Sequence, residues 1–344
     1  MPAATAIPLR SPSSATLPAI TPSTVSPCAT ARLYIDQLNA NGGINGKQVE
    51  VLEYDDKGDG VEAVNAFNLA MDQGITAVIG SVLTGPTITL ADATYEVNMP
   101  QISASATAQG VTQIDPDDES AGIRTNVFRS CFIDPFQGQT MAHYAADKLG
   151  ATTAAILYES GSDYSEGCMN GFVEACEELG IEIVATEAFA TGDKDFNAQM
   201  TNIANANPDV VFMPFYYSEA GLAITQGRQA GLTATILGAD GFGGIKDYAS
   251  AEDLEGTVYG SGYAPGTDSV AQFEADYEET YGEPVPNMFA PLAYDAAMLM
   301  CEGLKAAEEQ GLTAGSDEYK QAVIDAISSM NGVEGITGTY TFDE

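Results

Sequence analysis

Short apolar runs rich in β-branched residues alternate with helical patterns of about 10–15 residues along most of the chain. That alternation narrows the fold more than any other feature. It predicts a helix over 31–40, a strand over 49–54, a helix over 61–72 and a strand over 75–80. A loop, a helix over 87–96 and a strand over 100–103 follow. The pattern resumes as strand 153–158, helix 164–179, strand 181–190, helix 196–206, strand 210–214, helix 219–230 and strand 235–238. Strands separated by helices pair in parallel, with the helices covering both sheet faces. Two such series, divided near 128–137, predict two doubly wound, Rossmann-like α/β lobes. One further strand (256–262) precedes helices at 269–281, 291–308 and 316–330, too few strands for a third domain, so these helices should pack back on the first lobe. The chain must then cross between lobes more than once, which makes a hinge. Lobe 1 is expected to hold 32–135 and 266–335, and lobe 2 to hold 136–265 and 336–344. In open α/β sheets ligands sit beyond the carboxyl ends of the strands, so a cleft between the lobes is the expected site.

Charge removes whole classes of function. The 344 residues include 49 Asp plus Glu against 12 Lys plus Arg, a formal net charge of -37. Such a field repels phosphate backbones and offers no polybasic membrane anchor, so neither nucleic acid nor a membrane surface is expected as a partner. No apolar run approaches the ~18 residues of a membrane helix. With His143 as the single histidine, a multi-histidine metal site is excluded, and His143 itself reads as structural. No C-x-x-C spacing suggests zinc. Cys168 and Cys176 lie eight apart in a predicted helix, roughly 12 Å along its axis, beyond the ~7 Å reach of a disulfide. They read as small buried apolar residues.

The loops that leave the strands carry the chemistry. Gly80-Ser81-Val82-Leu83-Thr84-Gly85 joins a buried strand to a helix, and Ser103-Ala104-Ser105-Ala106-Thr107 follows the next strand. Hydroxyls and unpaired N–H groups at helix starts suit an anion such as a carboxylate, although ordinary capping explains either loop taken alone. Neither has a phosphate-loop lysine or a G-x-G-x-x-G spacing. Asp55-Asp56-Lys57-Gly58-Asp59-Gly60 looks superficially like a calcium loop but lacks its later ligands, and reads as a polar turn and helix cap. Tyr164, Tyr216 and Asp240 each lie just beyond a predicted strand. A carboxylate flanked by aromatic rings can hold an ammonium group, and a solvated loop acid is the alternative.

Taken in order, the stretches ARLYIDQLNANGGINGKQVEV, YDDKGDGVEAVNAF, AVIGSVLTG, ISASATAQGVT, VFRSCFIDPFQGQTMA, SDYSEG, GDKDFNAQMTNI, PDVVFMPFYYSEAG, GADGFGG, YDAAMLM and TGTYTFDE resemble the branched-chain amino-acid (leucine/isoleucine/valine) binding proteins of ABC importers. The resemblance implies the type I periplasmic binding fold, two lobes joined by three crossovers. It implies an extracytoplasmic, monomeric, solute-binding protein that closes on a free amino acid, branched-chain or similar, and delivers it to ABC permease membrane subunits, with no cofactor or metal. In its terms the ligand carboxylate falls to Thr84 and to Ser105, Ala106 and Thr107. The ammonium falls to Asp240 with Tyr164 and Tyr216, and Phe289 helps enclose the side chain. A ligand-sensing regulator on the same fold is the alternative. An enzyme is disfavoured by the single histidine and the absence of a nucleophile–base pair.

One segment departs from the resemblance. Residues 1–31 are almost wholly Ala, Ser, Thr and Pro, without the continuous apolar core of a signal peptide. The family begins with a strand and Gly-rich loop of the form V-A-V-I-G-x-L-T-G-x-N-A-x-Y-G, unlike residues 11–25 here. If the third base of each codon is read with the first two of the next, residues 11–15 permit V-A-V-I-G. Residues 17–31 then permit L-T-G-(D/N)-N-A-V-Y-G-x-A-V-R-N-G. Residues 1–31 are therefore expected to be an out-of-frame, disordered translation, with the first strand of lobe 1 missing or scrambled and the signal peptide absent. Family members also usually continue past Phe342-Asp343-Glu344 into a last strand.

Overall fold

The computed structural model describes residues 5–10 and 27–342. The chain divides into two compact units. Unit 1 begins with β1 (Thr5–Arg10), α1 (Pro27–Ala40), β2 (Glu50–Val51), β3 (Tyr54–Asp55), α2 (Gly60–Met71), β4 (Ala77–Ile79), α3 (Thr84–Glu96), β5 (Gln101–Ser103) and β6 (Val127–Arg129). Unit 2 follows with α4 (Asp134–Tyr144), β7 (Thr153–Glu159), α5 (Asp163–Leu179), β8 (Glu182–Phe189), α6 (Asn197–Ala206), β9 (Val210–Met213), α7 (Tyr217–Gln229), β10 (Thr235–Gly238) and β11 (Val258–Tyr259). The chain then returns to unit 1 for α8 (Ala271–Tyr281), α9 (Phe289–Glu309), α10 (Asp317–Ser328) and the hairpin β12 (Asn331–Glu334) and β13 (Thr339–Thr341). Residues Thr107–Gln109 group with unit 2, between two stretches of unit 1.

Unit 2 is a doubly wound parallel sheet in the order β11-β10-β9-β7-β8. Its central strands β7, β9 and β10 are largely buried on both faces, and the period-2 alternation of side chains sorts them cleanly. Ala155 and Leu157 of β7, Val211 and Met213 of β9 and Ile236 of β10 join Phe196, Met200 and Ile203 in one core. Ala154 and Ile156, Val210 and Phe212, and Leu237 face the other way, onto Met141, Cys168 and Phe172. Phe172 stacks on Phe212 with centroids 4.4 Å apart, and burying a ring of this size contributes roughly 1.5–3 kcal/mol. Helices α4 and α5 pack closely because glycines meet between them. A Cβ on Gly138 would lie 2.1 Å from the Cys168 carbonyl oxygen, and one on Gly171 would lie 2.5 Å from that of Pro135. Cys168 and Cys176 are buried free thiols, as expected of small apolar residues.

In unit 1, β4, β5 and β6 are parallel, and α2 and α3 cover one face through Leu52, Phe67, Val78, Leu90 and Met99. The exception is β1, which lies between β4 on one side and β2 and β3 on the other and runs antiparallel to all three. Thus 5–10 form a strand and 27–31 enter α1, where the composition predicts a disordered segment; the rest of 1–26 lies outside the described residues. The expected strand over 49–54 is broken into β2 and β3, and that over 256–262 shrinks to two residues.

The chain end also differs from expectation. Of residues 336–344, expected in lobe 2, the described residues 336–342 belong to unit 1. The buried carboxylate of Asp295 on α9 explains why. It accepts the N–H groups of Ile336 and Thr337 (both 2.9 Å), the Thr337 hydroxyl (2.6 Å) and the Tyr340 hydroxyl (3.0 Å). Four donors converging on one buried acid tie the β12–β13 hairpin to the helix.

Candidate functional site

In unit 2, three adjacent parallel strands end at the same edge, and each delivers one of the expected residues. Tyr164 lies in the first turn of α5 after β7, Tyr216 precedes α7 after β9, and Asp240 follows β10 in a short 3-10 turn. In this strand order the edge between β7 and β9 is the topological switch point, where open α/β sheets bind ligands. The three residues meet there. The Tyr164 hydroxyl donates to Asp240 Oδ1 at 2.7 Å and accepts the Gly241 N–H at 2.9 Å. The Tyr164 and Tyr216 rings stack with centroids 5.1 Å apart. Gly241 is required by this closeness, since a Cβ there would sit 2.8 Å from the Tyr164 hydroxyl and 2.9 Å from the Phe215 carbonyl oxygen.

Asp240 is 3% exposed. Burial pushes its carboxyl up to about 6, partly offset by hydrogen bonds from Tyr164 and from backbone. Among the described residues, no Lys or Arg nitrogen lies within 4.0 Å of it. Burial first and the Asp240 charge second raise the Tyr164 and Tyr216 phenols well above their usual range, so both stay protonated as donors. A buried carboxylate bonded to one of two stacked phenols, with no Lys or Arg partner among the described residues, suits a ligand cation.

Gln137 is a participant that sequence reasoning missed. From α4, its Oε1 accepts the Asp240 N–H at 2.9 Å. Its Nε2 donates to Asp134 Oδ1 at 3.5 Å, and the Cys168 thiol reaches the same oxygen at 3.5 Å. The glycine-mediated closeness of α4 and α5 sets this geometry. The one available signal, a polar residue at the start of a helix, does not mark a partner 103 residues away.

In unit 1, the two hydroxyl-rich loops follow the adjacent strands β4 and β5 and are cross-linked. Gln101 Nε2 donates to the Gly80 carbonyl (2.8 Å), Ser103 Oγ to the Ser81 carbonyl (3.1 Å) and Ser105 Oγ to the Val82 carbonyl (2.8 Å). The Ala106 N–H, expected to face a ligand, donates to Ser103 Oγ at 3.1 Å. Thr84 is buried and is the first residue of α3, not its cap. The cap position is Leu83, and no side chain bonds the first N–H groups of the helix. Capping thus does not account for this loop, and the α3 N-terminus keeps donors for an anion.

The remaining expected residues stand apart. Thr107 is buried and groups with unit 2, where its carbonyl accepts the Asp134 N–H at 3.0 Å. Phe289 opens α9 in unit 1, half-buried, and its N–H donates to Asn287 Oδ1. The structure brings together Tyr164, Tyr216 and Asp240 in one unit and places Thr84, Ser105 and Ala106 on joined loops of the other.

Comparison with known proteins bears on these two sets of residues. The family described as periplasmic binding protein matches residues 21–344. A leucine-, isoleucine-, valine-, threonine- and alanine-binding protein of Pseudomonas aeruginosa is 30% identical over 317 residues, covering 92% of this chain and 80% of that protein. The branched-chain amino acid transporter substrate binding protein LivJ from Streptococcus pneumoniae, solved in complex with isoleucine, superposes with a TM-score of 0.81 at 31% identity. That likeness covers 92% of this chain and 86% of that one. The leucine binding protein LivK from Thermotoga maritima gives 0.80 at 29% identity, covering 92% and 87%. A solute binding protein from R. palustris in complex with benzoate shares the fold at 0.77 with 20% identity.

Proposed function

The chain belongs to the periplasmic-binding-protein family, and from that premise we propose that it is the solute-binding component of an ABC importer, carrying a free branched-chain or similar amino acid. Unit 2 supplies the groups for the ligand ammonium: the Asp240 carboxylate, with the Tyr164 hydroxyl and the Tyr164 and Tyr216 rings around it. Unit 1 supplies those for the carboxylate: the N-terminus of α3 at Thr84 and the hydroxyl-rich loop at Ser105; Thr107, which groups with unit 2, completes that set. Phe289 contributes to the side-chain enclosure. A ligand whose two charges are held by different units favours whatever state satisfies both of them. The protein then acts outside the cytoplasmic membrane as a monomer and hands its cargo to the permease. The Pseudomonas aeruginosa relative, named for leucine, isoleucine and valine among others, and the Streptococcus pneumoniae protein solved with isoleucine support this choice of ligand.

The observation that carries the reading is the buried Asp240 carboxylate, bonded to a tyrosine and lacking a Lys or Arg partner among the described residues. The test is a thermal-shift panel. Binding to the folded state stabilises it by about 2.7 kcal/mol at a hundredfold excess over Kd. Leucine, isoleucine or valine should raise the melting temperature, whereas N-acetyl-leucine, without its ammonium, should not. If no free amino acid shifts the transition, the reading is wrong.

A further inference from the structure

The acidic run at 55–60 contains three aspartates, and the structure gives them separate tasks. Asp55 is exposed and accepts the Lys57 N–H. Asp59 is exposed and caps α2, accepting the N–H groups of Val61 and Glu62. These two account for the turn and the cap. Asp56 also bonds within the turn, but its side chain points inward, is 0% exposed and reaches beyond it.

Its two oxygens join two loops. Oδ1 accepts the Gly58 N–H at 2.9 Å, and Oδ2 accepts the hydroxyl of Ser81. Ser81 lies between Gly80, held by Gln101, and Val82, held by Ser105, and its own carbonyl is held by Ser103. The turn packs against the same loop, since a Cβ on Gly58 would be 3.2 Å from Leu83 Cδ1. Every residue from Gly80 to Val82 is therefore anchored, and the chain then enters α3 without a side-chain cap. Asp56 brings a carboxylate to this set of bonds, whereas Gln101, Ser103 and Ser105 bring neutral donors to backbone carbonyls. A bond to a charged acceptor holds harder than the neutral bonds beside it.

We propose that Asp56 is a positioning residue for amino-acid binding: through the Ser81 hydroxyl it holds the 80–84 loop in the shape that presents the α3 N-terminus to the ligand carboxylate. The inference rests on the functional reading above. Asp56 touches no ligand and acts through Ser81. Burial raises its carboxyl to about 6, with Asp55 and Asp59 adding to the rise and the Gly58 N–H opposing it. An asparagine keeps the side chain's shape, and the Ser81 hydroxyl can donate to its Oδ1 or accept from its Nδ2.

The experiment measures the Kd for leucine by calorimetry on the full chain, with melting temperatures by circular dichroism. The proteins are the unaltered chain, Asp56→Ala, Ser81→Ala, the double substitution and Asp56→Asn. Each single alanine change should weaken binding about tenfold, the scale of one hydrogen bond to a charged group. The double change should be no weaker than either single one, because both remove the same link. Asp56→Asn should recover most of the affinity lost in Asp56→Ala. Should Asp56→Ala not fold, Ser81→Ala and Asp56→Asn still decide the matter. Ser81→Ala binding as tightly as the unaltered chain would overturn the inference, as would losses that multiply in the double variant. A role confined to stability would lower the melting temperatures and leave Kd unchanged, which also overturns it. If the unaltered chain binds no amino acid, the functional reading fails and takes this inference with it.

Discussion

At the scale of the residue, the site turns on the protonation of Asp240. Its carboxyl is raised to about 6 by burial, so the fold favours its protonated form between the ordinary carboxylate range and that value. The sign follows from linkage: with more protons bound in the folded than in the unfolded state, this group's contribution to stability declines as pH rises toward and through 6. A ligand ammonium does the opposite, because it pairs with the charged form. Amino-acid affinity is therefore predicted to be highest above pH 6 and to fall as pH drops below it. Titration calorimetry between pH 5 and pH 8 on the unaltered chain and on Asp240→Asn checks this. The substitution should weaken binding by about a hundredfold or more, as breaking a buried charge contact does, and should flatten most of the pH dependence. A profile unchanged by the substitution would place the titrating group elsewhere. Gly241 offers an independent test. Gly241→Ala should disturb the Tyr164–Asp240 bond, because its Cβ meets the Tyr164 hydroxyl and the Phe215 carbonyl. Affinity should fall at least about tenfold, by the logic of overpacking at a rigid contact. Tyr164, Tyr216 and Asp240 were legible in the sequence because each follows a recognisable strand. Gln137 was not, because a helix carries no mark of the loop it will face.

Among the elements, β1 is the one at odds with its surroundings. A strand joined through a helix to its neighbour belongs parallel to it, yet β1 runs antiparallel to β2, β3 and β4. It also carries Pro8 in register with Val78, between strands on both sides. Proline has no N–H for a ladder and is normally confined to sheet edges. Residues 1–31, which include this strand, are also the segment we propose is translated out of frame. The coding DNA is the check: read one base over, it should encode V-A-V-I-G followed by L-T-G and the start of the helix. A protein made in that frame should have a higher melting temperature than this chain, because a parallel strand without proline restores the ladder. If the shifted frame encodes something unrelated, or the corrected protein is no more stable, the explanation fails. Most other expected helices and strands keep their places with bounds moved by a few residues; the exceptions are the split strand over 49–54, the strand over 256–262 reduced to two residues, and the unexpected β12–β13 hairpin. Helix α3 begins at Thr84, ahead of the expected 87, so Thr84 lies in its first turn and Leu83 takes the cap position.

For the whole molecule, the charge is the dominant physical term. Several basic residues already sit in ion pairs, such as Arg124 with Asp92, Lys47 with Glu308 and Arg32 with Glu53. With 12 basic residues against 49 acidic ones, most carboxylates have no basic partner to take. Their mutual repulsion opposes the compact state. Salt shortens its range, from a Debye length of ~10 Å at 0.1 M to ~3 Å at 1 M. The melting temperature should therefore rise steadily between about 0.1 M and 1 M sodium chloride, measured calorimetrically; a flat or falling curve would show that repulsion is not limiting. The sequence by itself determined the doubly wound architecture, the two series of strands, and which loops emerge at the carboxyl ends. Those features follow from local periodicity, and alternation along the chain records them directly. Only the tertiary structure decided that residues 336–342 return to unit 1 through Asp295, that Gln137 supports Asp240, and that Asp56 clasps Ser81. Such pairings join positions 25 to 103 residues apart. Their energy comes from excluding water around groups that meet only after the sheets are wound, so no local pattern encodes them.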